Sequence, residues 1–220
     1  KGMGRMQIQP VVHVLDDDIA IRDALGVLLQ STGYGVRLYD RAEQFLSALP
    51  IEEPGCLILD MNLDQSDGLE LQRLLTQTRS TLPVIVVTGY ANVRTAVQAM
   101  RGGAVDFFEK PFDRHRLLSR VHEAVAMDCE AHAEHERRQA VLARLGALTP
   151  REREVLELVV AGRANKQVAA QLGISMKTVE AHRAHVMAKM KAESLAELVR
   201  VVTETKSVLI DEGDAPSSSV

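Results

Sequence analysis

Five short apolar runs, each separated from the next by a stretch of helical spacing, leave the first half of this chain few folds to choose from. Val11-Val12-His13-Val14-Leu15, Cys56-Leu57-Ile58-Leu59 and Pro83-Val84-Ile85-Val86-Val87 are β-branched or aliphatic with little polar alternation. Runs of this kind mark strands buried on both faces. Tyr34-Gly35-Val36-Arg37-Leu38-Tyr39 and residues 104–108 bring the set to five. Between them, residues 19–29, 42–49, 69–75 and 92–100 place apolar side chains at helical intervals. Regular β–α alternation predicts a doubly wound α/β domain, a five-stranded parallel sheet with helices on both faces.

In such sheets ligands collect at the carboxyl ends of the strands. The polar residues at those ends are Asp16, Asp17 and Asp18 after the first strand, Asp60 after the third, Thr88 after the fourth and Lys110 after the fifth. Any one of these acids is read most simply as a helix N-cap, and Asp18 suits that role. Taken together they suit a cation. Clustered carboxylates are costly without one, and oxygens converging on one point fit hard, octahedral Mg²⁺. A lysine ammonium and a threonine hydroxyl beside them would meet the remaining oxygens of a phosphoryl group.

Residues 11–125 resemble the response-regulator receiver domain. The FixJ-like subgroup is indicated by Val12-His13-Val14-Leu15-Asp16-Asp17 and by Gly103-Ala104-Val105-Asp106-Phe107-Phe108-Glu109-Lys110-Pro111-Phe112. The resemblance implies a flavodoxin-like fold with Asp60 as phosphoacceptor. It implies Mg²⁺ held by Asp17, Asp60 and the Asn62 carbonyl, with Asp16 acting through water. Lys110 would pair with the phosphoryl oxygens, Thr88 and Phe107 would form the switch, and Lys110-Pro111 would be cis. The surface around residues 94–101, Asp106 and residues 116–120 would then favour a homodimer. One position departs from the family: Asp64 stands where Pro is usual. That loosens the loop, since Pro fixes φ, and adds a carboxylate that bears on how long phosphate is retained.

From 113 to 145 there is neither Gly nor Pro, so the fifth helix is expected to run on as a linker. Leu117, Leu118, Val121 and Val125 are spaced to pack on the sheet domain. Beyond Met127 large apolar residues vanish until Val141. His132 and His135 share a face of this helix, but histidines on a solvated helix are usually not ligands.

The last third changes character. Net charge over all 220 residues is −4, yet residues 144–200 hold ten Lys/Arg against six Asp/Glu, about +4, leaving about −8 elsewhere. A basic module follows an acidic one. Thr149-Pro150-Arg151-Glu152 is a capping box with Pro at the first helical position. Val155, Leu156, Val159 and Val160 supply that helix with an apolar stripe, which Gly162 ends. Asn165 is expected to cap a second helix that stops at Gly173, and Ser175 a third. Two short helices joined by a Gly-containing turn follow the helix-turn-helix plan. A fourth helix opens at Ser194. On the third, Val179, Val186 and Met190 share a core face. Lys177, Thr178, Glu180, Ala181 and Ala184 lie elsewhere, where such a helix meets base edges. Arg183, Lys189 and Lys191 suit phosphate contacts. The plain alternative is a helical bundle with a solvated basic helix.

Leu148-Thr149-Pro150-Arg151-Glu152-Arg153-Glu154-Val155-Leu156, Asn165-Lys166-Gln167-Val168-Ala169 and Ser175-Met176-Lys177-Thr178-Val179-Glu180-Ala181-His182-Arg183 are similar to the LuxR/NarL-type DNA-binding domain. The match covers residues 147–202. With the receiver it implies a two-component response regulator, not an enzyme. Its implied partners are a sensor histidine kinase, double-stranded promoter DNA, a second copy of itself and RNA polymerase. The expected divisions are a receiver at 8–125, a linker at 126–144, a small all-α helix-turn-helix domain at 145–205 and a disordered tail at 206–220.

No apolar run approaches the roughly 20 residues that span a bilayer, and the N-terminal residues carry no apolar signal core. Cys56 and Cys129 do not form a metal or disulfide framework. A cytoplasmic protein without membrane contact is expected. Other readings fare less well. A receiver that dimerises without phosphate would leave a constitutive DNA-binding module, supported only by the altered loop. An aspartyl-phosphate phosphatase needs a second acid where Asn62 stands. A flavin domain would want Ser and Thr, not three acids, after the first strand.

Overall fold

The computed structural model describes residues 9–63, 66–78, 80–90 and 92–213. It divides into two compact units, 1–133 and 134–220. In the first, five parallel strands lie in the order β2-β1-β3-β6-β7. They are β1 (Val11–Leu15), β2 (Gly35–Tyr39), β3 (Gly55–Asp60), β6 (Val84–Thr88) and β7 (Asp106–Glu109). Every residue of β1, β3 and β6 is buried, as their unbroken apolar runs predict.

Strand period two then divides the side chains between two cores. Leu15, Leu57, Leu59, Val84 and Val86 face one side, where α2 (Ala42–Ser47), α3 (Gly68–Gln77) and α4 (Val93–Arg101) cover them. Val12, Val14, Cys56, Ile58, Ile85 and Val87 face the other, under α1 (Ile19–Ser31) and α5 (Arg114–Gly146). A two-stranded ribbon, β4 (Asn62–Leu63) and β5 (Ser66–Asp67), follows the third sheet strand. Sequence pattern predicts only a loop there. Asp64, the family departure, lies outside the described residues.

Chain order reverses between β1 and β3, and the crevice beyond their carboxyl ends is the usual ligand position. The register brings the strand ends level. Leu15 pairs with Leu59, Asp60 with Val87 and Thr88 with Glu109. Asp16, Asp60, Thr88 and Lys110 therefore emerge on one edge.

The second unit contains α6 (Pro150–Val160), α7 (Asn165–Leu172), α8 (Met176–Met190) and α9 (Leu195–Gly213). Its core joins Val155, Leu156, Val159, Val168, Val179, Val186, Met190, Leu198 and Val202. The expected capping box is present, with the Thr149 hydroxyl accepting from Glu152 N and the Glu152 carboxylate accepting from Thr149 N. Two expectations need correction. Ala164, not Asn165, caps α7: Gln167 reaches back to the Ala164 N–H at 2.9 Å, while the Asn165 side-chain Oδ1 accepts from Arg183 at 2.8 Å. A partner on α8 has taken the group that would cap. And α9 runs on to Gly213, into the stretch expected to be disordered. Residues 214–220 lie outside the described residues.

Candidate functional site

At the sheet edge the strand ends hold a compact group. Asp16, Asp17 and Asp60 each offer an oxygen within 4.8 Å of the others. Asp16 and Asp60 are buried and Asp17 half-buried. The Lys110 ammonium bridges two of them, donating to Asp16 Oδ2 at 2.6 Å and Asp60 Oδ2 at 2.5 Å. Three carboxylates and one ammonium carry a formal charge of −2, which a divalent cation would neutralise. Burial raises the Asp16 pKa, and Lys110 pulls it back only in part. For Lys110, burial works to lower the pKa, but hydrogen bonds and charge from Asp16 and Asp60 outweigh it and hold the ammonium above its usual value.

The loops bearing these groups are tied down locally. Asp18 caps α1 through the Ala20 and Ile21 amides, so the simple capping reading holds for that acid. Arg22, to which no sequence motif points, donates to the carbonyl of Asp16 at 2.6 Å and of Asp17 at 3.3 Å. Asp60 Oδ1 accepts from the Asn62 N–H at 2.9 Å. The Asn62 side-chain Nδ2 in turn donates to Thr88 Oγ1 at 3.0 Å, so the loop after Asp60 and the buried Thr88 share a link that pattern alone does not reveal. A β-carbon on Gly68 would lie 2.7 Å from the Asp60 carbonyl oxygen and 2.8 Å from Met61 Cα. Only glycine lets α3 start against the end of β3. Phe107 is half-buried against the core that contains Leu59 and Val86. Lys110-Pro111 is cis.

In the second unit, α8 presents Lys177, Thr178, Glu180, Ala181 and Ala184 as exposed residues around its buried Val179, Val186 and Met190, and its C-cap Lys191 is exposed as well. Ser175 caps the helix through the Thr178 N–H.

Two family models match. Residues 12–122 match the response regulator receiver domain, and residues 146–202 match the bacterial regulatory proteins of the luxR family. The transcriptional regulatory protein FixJ of Bradyrhizobium diazoefficiens is 44% identical over 190 residues, covering 86% of this chain and 93% of its own. The chain belongs to the response-regulator family. It is a two-component response regulator with a LuxR-type DNA-binding domain, a regulator and not an enzyme. The response regulator protein TodT of Pseudomonas putida is 37% identical over 199 residues, covering 90% of this chain and 88% of TodT. Among solved structures, the response regulator StyR superposes with a TM-score of 0.83 at 37% identity, covering 89% of this chain and 99% of that one.

One residue of the regulator's expected DNA surface is otherwise engaged. Lys189 donates to Glu152 Oε2 at 2.7 Å and to the Ala147 carbonyl at 3.2 Å. Lys189 and the Thr149 amide hold the Glu152 carboxyl well below its usual range, at about 2. The capping-box acid of α6 thus grips α8, and Lys189 belongs to that grip. We expect Lys189→Met to leave the salt dependence of DNA binding unchanged, whereas Lys191→Ala flattens it by about one counterion. Titrating affinity against salt for both variants checks this; equal flattening would return Lys189 to the phosphate contacts. Arg183 is half-buried, with one guanidinium nitrogen donating to the Asn165 side chain.

Proposed function

We propose that this regulator accepts a phosphoryl group on Asp60 from a sensor histidine kinase, and that the phosphorylated form dimerises and binds promoter DNA. The observation that carries the reading is the pair of buried carboxylates, Asp16 and Asp60, bridged by one lysine beside a buried threonine. A carboxylate oxygen of Asp60 attacks phosphorus, the bond to the donor's nitrogen breaks, and its electron pair leaves with the imidazole. Lys110 then moves its hydrogen bond from Asp60 to a phosphoryl oxygen. Asp16, Asp17, Asp60 and the Asn62 carbonyl are the residues that would hold Mg²⁺, which supplies positive charge for the phosphoryl oxygens when bound.

In this reading Thr88 turns toward the new oxygen, giving up the Asn62 side chain, while Phe107 fills the space it leaves. The dimer is proposed on α4 and β7, where Val93, Val97 and Met100 are exposed apolar residues and Asp106 pairs with Arg120. Lys177, Thr178, Glu180, Ala181 and Ala184 are the proposed base-edge contacts, with Arg183 and Lys191 at phosphates. RNA polymerase is a further proposed partner. Among the described residues no helix is long and apolar enough to cross a membrane, and the two cysteines are free thiols, which suits the reducing cytoplasm.

Incubation with acetyl phosphate and Mg²⁺, followed by intact mass measurement, tests the reading. The wild type should gain one phosphoryl group and Asp60→Ala none, and the phosphorylated wild type should shift from monomer to dimer in light scattering. A gain retained in Asp60→Ala would sink the assignment.

A further inference from the structure

Among the described residues the receiver unit buries three carboxylates, and two of them, Asp16 and Asp60, belong to the site above. The third is Asp128, 1% exposed. It lies beyond residue 122, where the match to receiver domains ends. Along α5 the buried positions run Leu117, Val121, Ala124, Val125 and Asp128, so the acid occupies the next place in an apolar stripe.

Its Oδ2 accepts from the Gly55 N–H at 2.8 Å, and His132 Nε2, one turn on, lies 3.5 Å from the same oxygen. Oδ1 is buried without a hydrogen-bond partner. An aliphatic side chain would fill the stripe without desolvating a charge, so the acid costs stability at this position. What it adds is a directional hold on one backbone amide. That amide is significant. Gly55 is the first residue of β3, and Asp60 is the last. A β-carbon at Gly55 would stand 1.8 Å from the Val11 carbonyl oxygen, so β1 closes on this point with no room for a side chain. Every residue of β3 is buried between β1 and β6, and close packing makes such a strand respond as one piece.

We propose that Asp128 is the positioning residue for output: it anchors α5 to the first residue of the phosphoacceptor strand, and a change at Asp60 reaches the helix through it. This rests on the reading of Asp60 as phosphoacceptor. Loss of the anchor frees the helix from about residue 126 onward, and phosphorylation then no longer changes where the helix leaves the sheet.

The test uses the full chain as wild type, Asp128→Ala and Asp128→Asn, with Asp128→Leu as a variant that keeps the stripe filled. Each is treated with acetyl phosphate and Mg²⁺. Three readouts are taken: phosphoryl occupancy by intact mass, amide exchange over residues 126–133, and affinity before and after phosphorylation for a duplex selected from a random pool by the wild type. Ala and Leu should take phosphate to the wild-type level, exchange about tenfold faster over that segment, the ratio that 1.4 kcal/mol represents, and lose about tenfold of the affinity gain. Asn, whose Oδ1 still accepts from Gly55, should restore both. Wild-type exchange and gain in Ala and Leu overturn the proposal, as does an Asn variant that behaves like Ala. A loss of gain matched by a loss of occupancy overturns it too, since that is general damage. If the wild type takes no phosphate, the phosphoacceptor reading fails and the coupling with it, while the exchange readout still decides the anchor.

Discussion

Lys110→Ala should lower the stability of the receiver domain by about 3 to 5 kcal/mol in the absence of divalent cations and slow phosphate uptake by about 10² to 10³-fold. Both effects come from one geometry. The ammonium lies 2.6 Å from Asp16 and 2.5 Å from Asp60, whose side chains are 1% and 6% exposed. Without it two buried carboxylates face each other with no cation between them, and an uncompensated buried charge costs more than its pair ever contributed. Added Mg²⁺ should therefore restore much of the stability of the variant, and less in the wild type, where Lys110 already supplies charge. It should not restore the rate to the same degree, because on the proposed reading Lys110 and the cation each supply charge to the phosphoryl oxygens, and the cation replaces only its own share. Urea unfolding in chelator and in Mg²⁺, beside acetyl-phosphate kinetics, separates the two. A variant as stable as the wild type in chelator would overturn this account of the lysine's place between the two acids.

The second large effect is an acid weakness in the same domain. His13 sits in β1 fully buried, with Nδ1 3.0 Å from the Tyr39 hydroxyl and Nε2 without a partner. Burial, with a smaller push from Arg37, lowers its pKa from 6.5 to about 4. As pH falls the unfolded chain therefore takes up the proton first. The stability linked to this group is intact above pH 6.5 and is lost progressively down to about pH 4, about 3 kcal/mol in all at roughly 1.4 kcal/mol per pH unit. His13→Phe, which keeps a ring between Tyr39 and Phe45, should remove that slope whatever its absolute stability. Urea midpoints of the receiver transition between pH 7 and 5 measure it. An unchanged slope in the variant would assign the loss to other groups.

Much of this was legible in local pattern, for a physical reason. A strand buried on both faces must be apolar throughout, so Val84–Thr88 and Gly55–Asp60 announce themselves as central strands. Parallel strands bring their carboxyl ends to one edge whatever the details, so Asp16, Asp60, Thr88 and Lys110 were bound to meet once the alternation was seen. The capping box at Thr149 is a four-residue contact and needs nothing beyond itself.

Other features had no local signature. Asn165 has the chemistry of a cap and the position of one, but Arg183, 18 residues on, claims its oxygen. Lys189 reads as one more cation on a basic helix until Glu152, 37 residues earlier, is found beneath it. Asp128 reads as the first polar residue of a solvated linker, and only the Gly55 amide, 73 residues away, makes it a buried anchor. Periodicity reports which face of an element turns inward, because burial is decided by neighbours three or four residues apart. It is silent on which partner a polar side chain meets there. Long-range packing alone made those assignments, since the cost of burying a hydrogen-bonding group is settled by the one atom that comes to satisfy it.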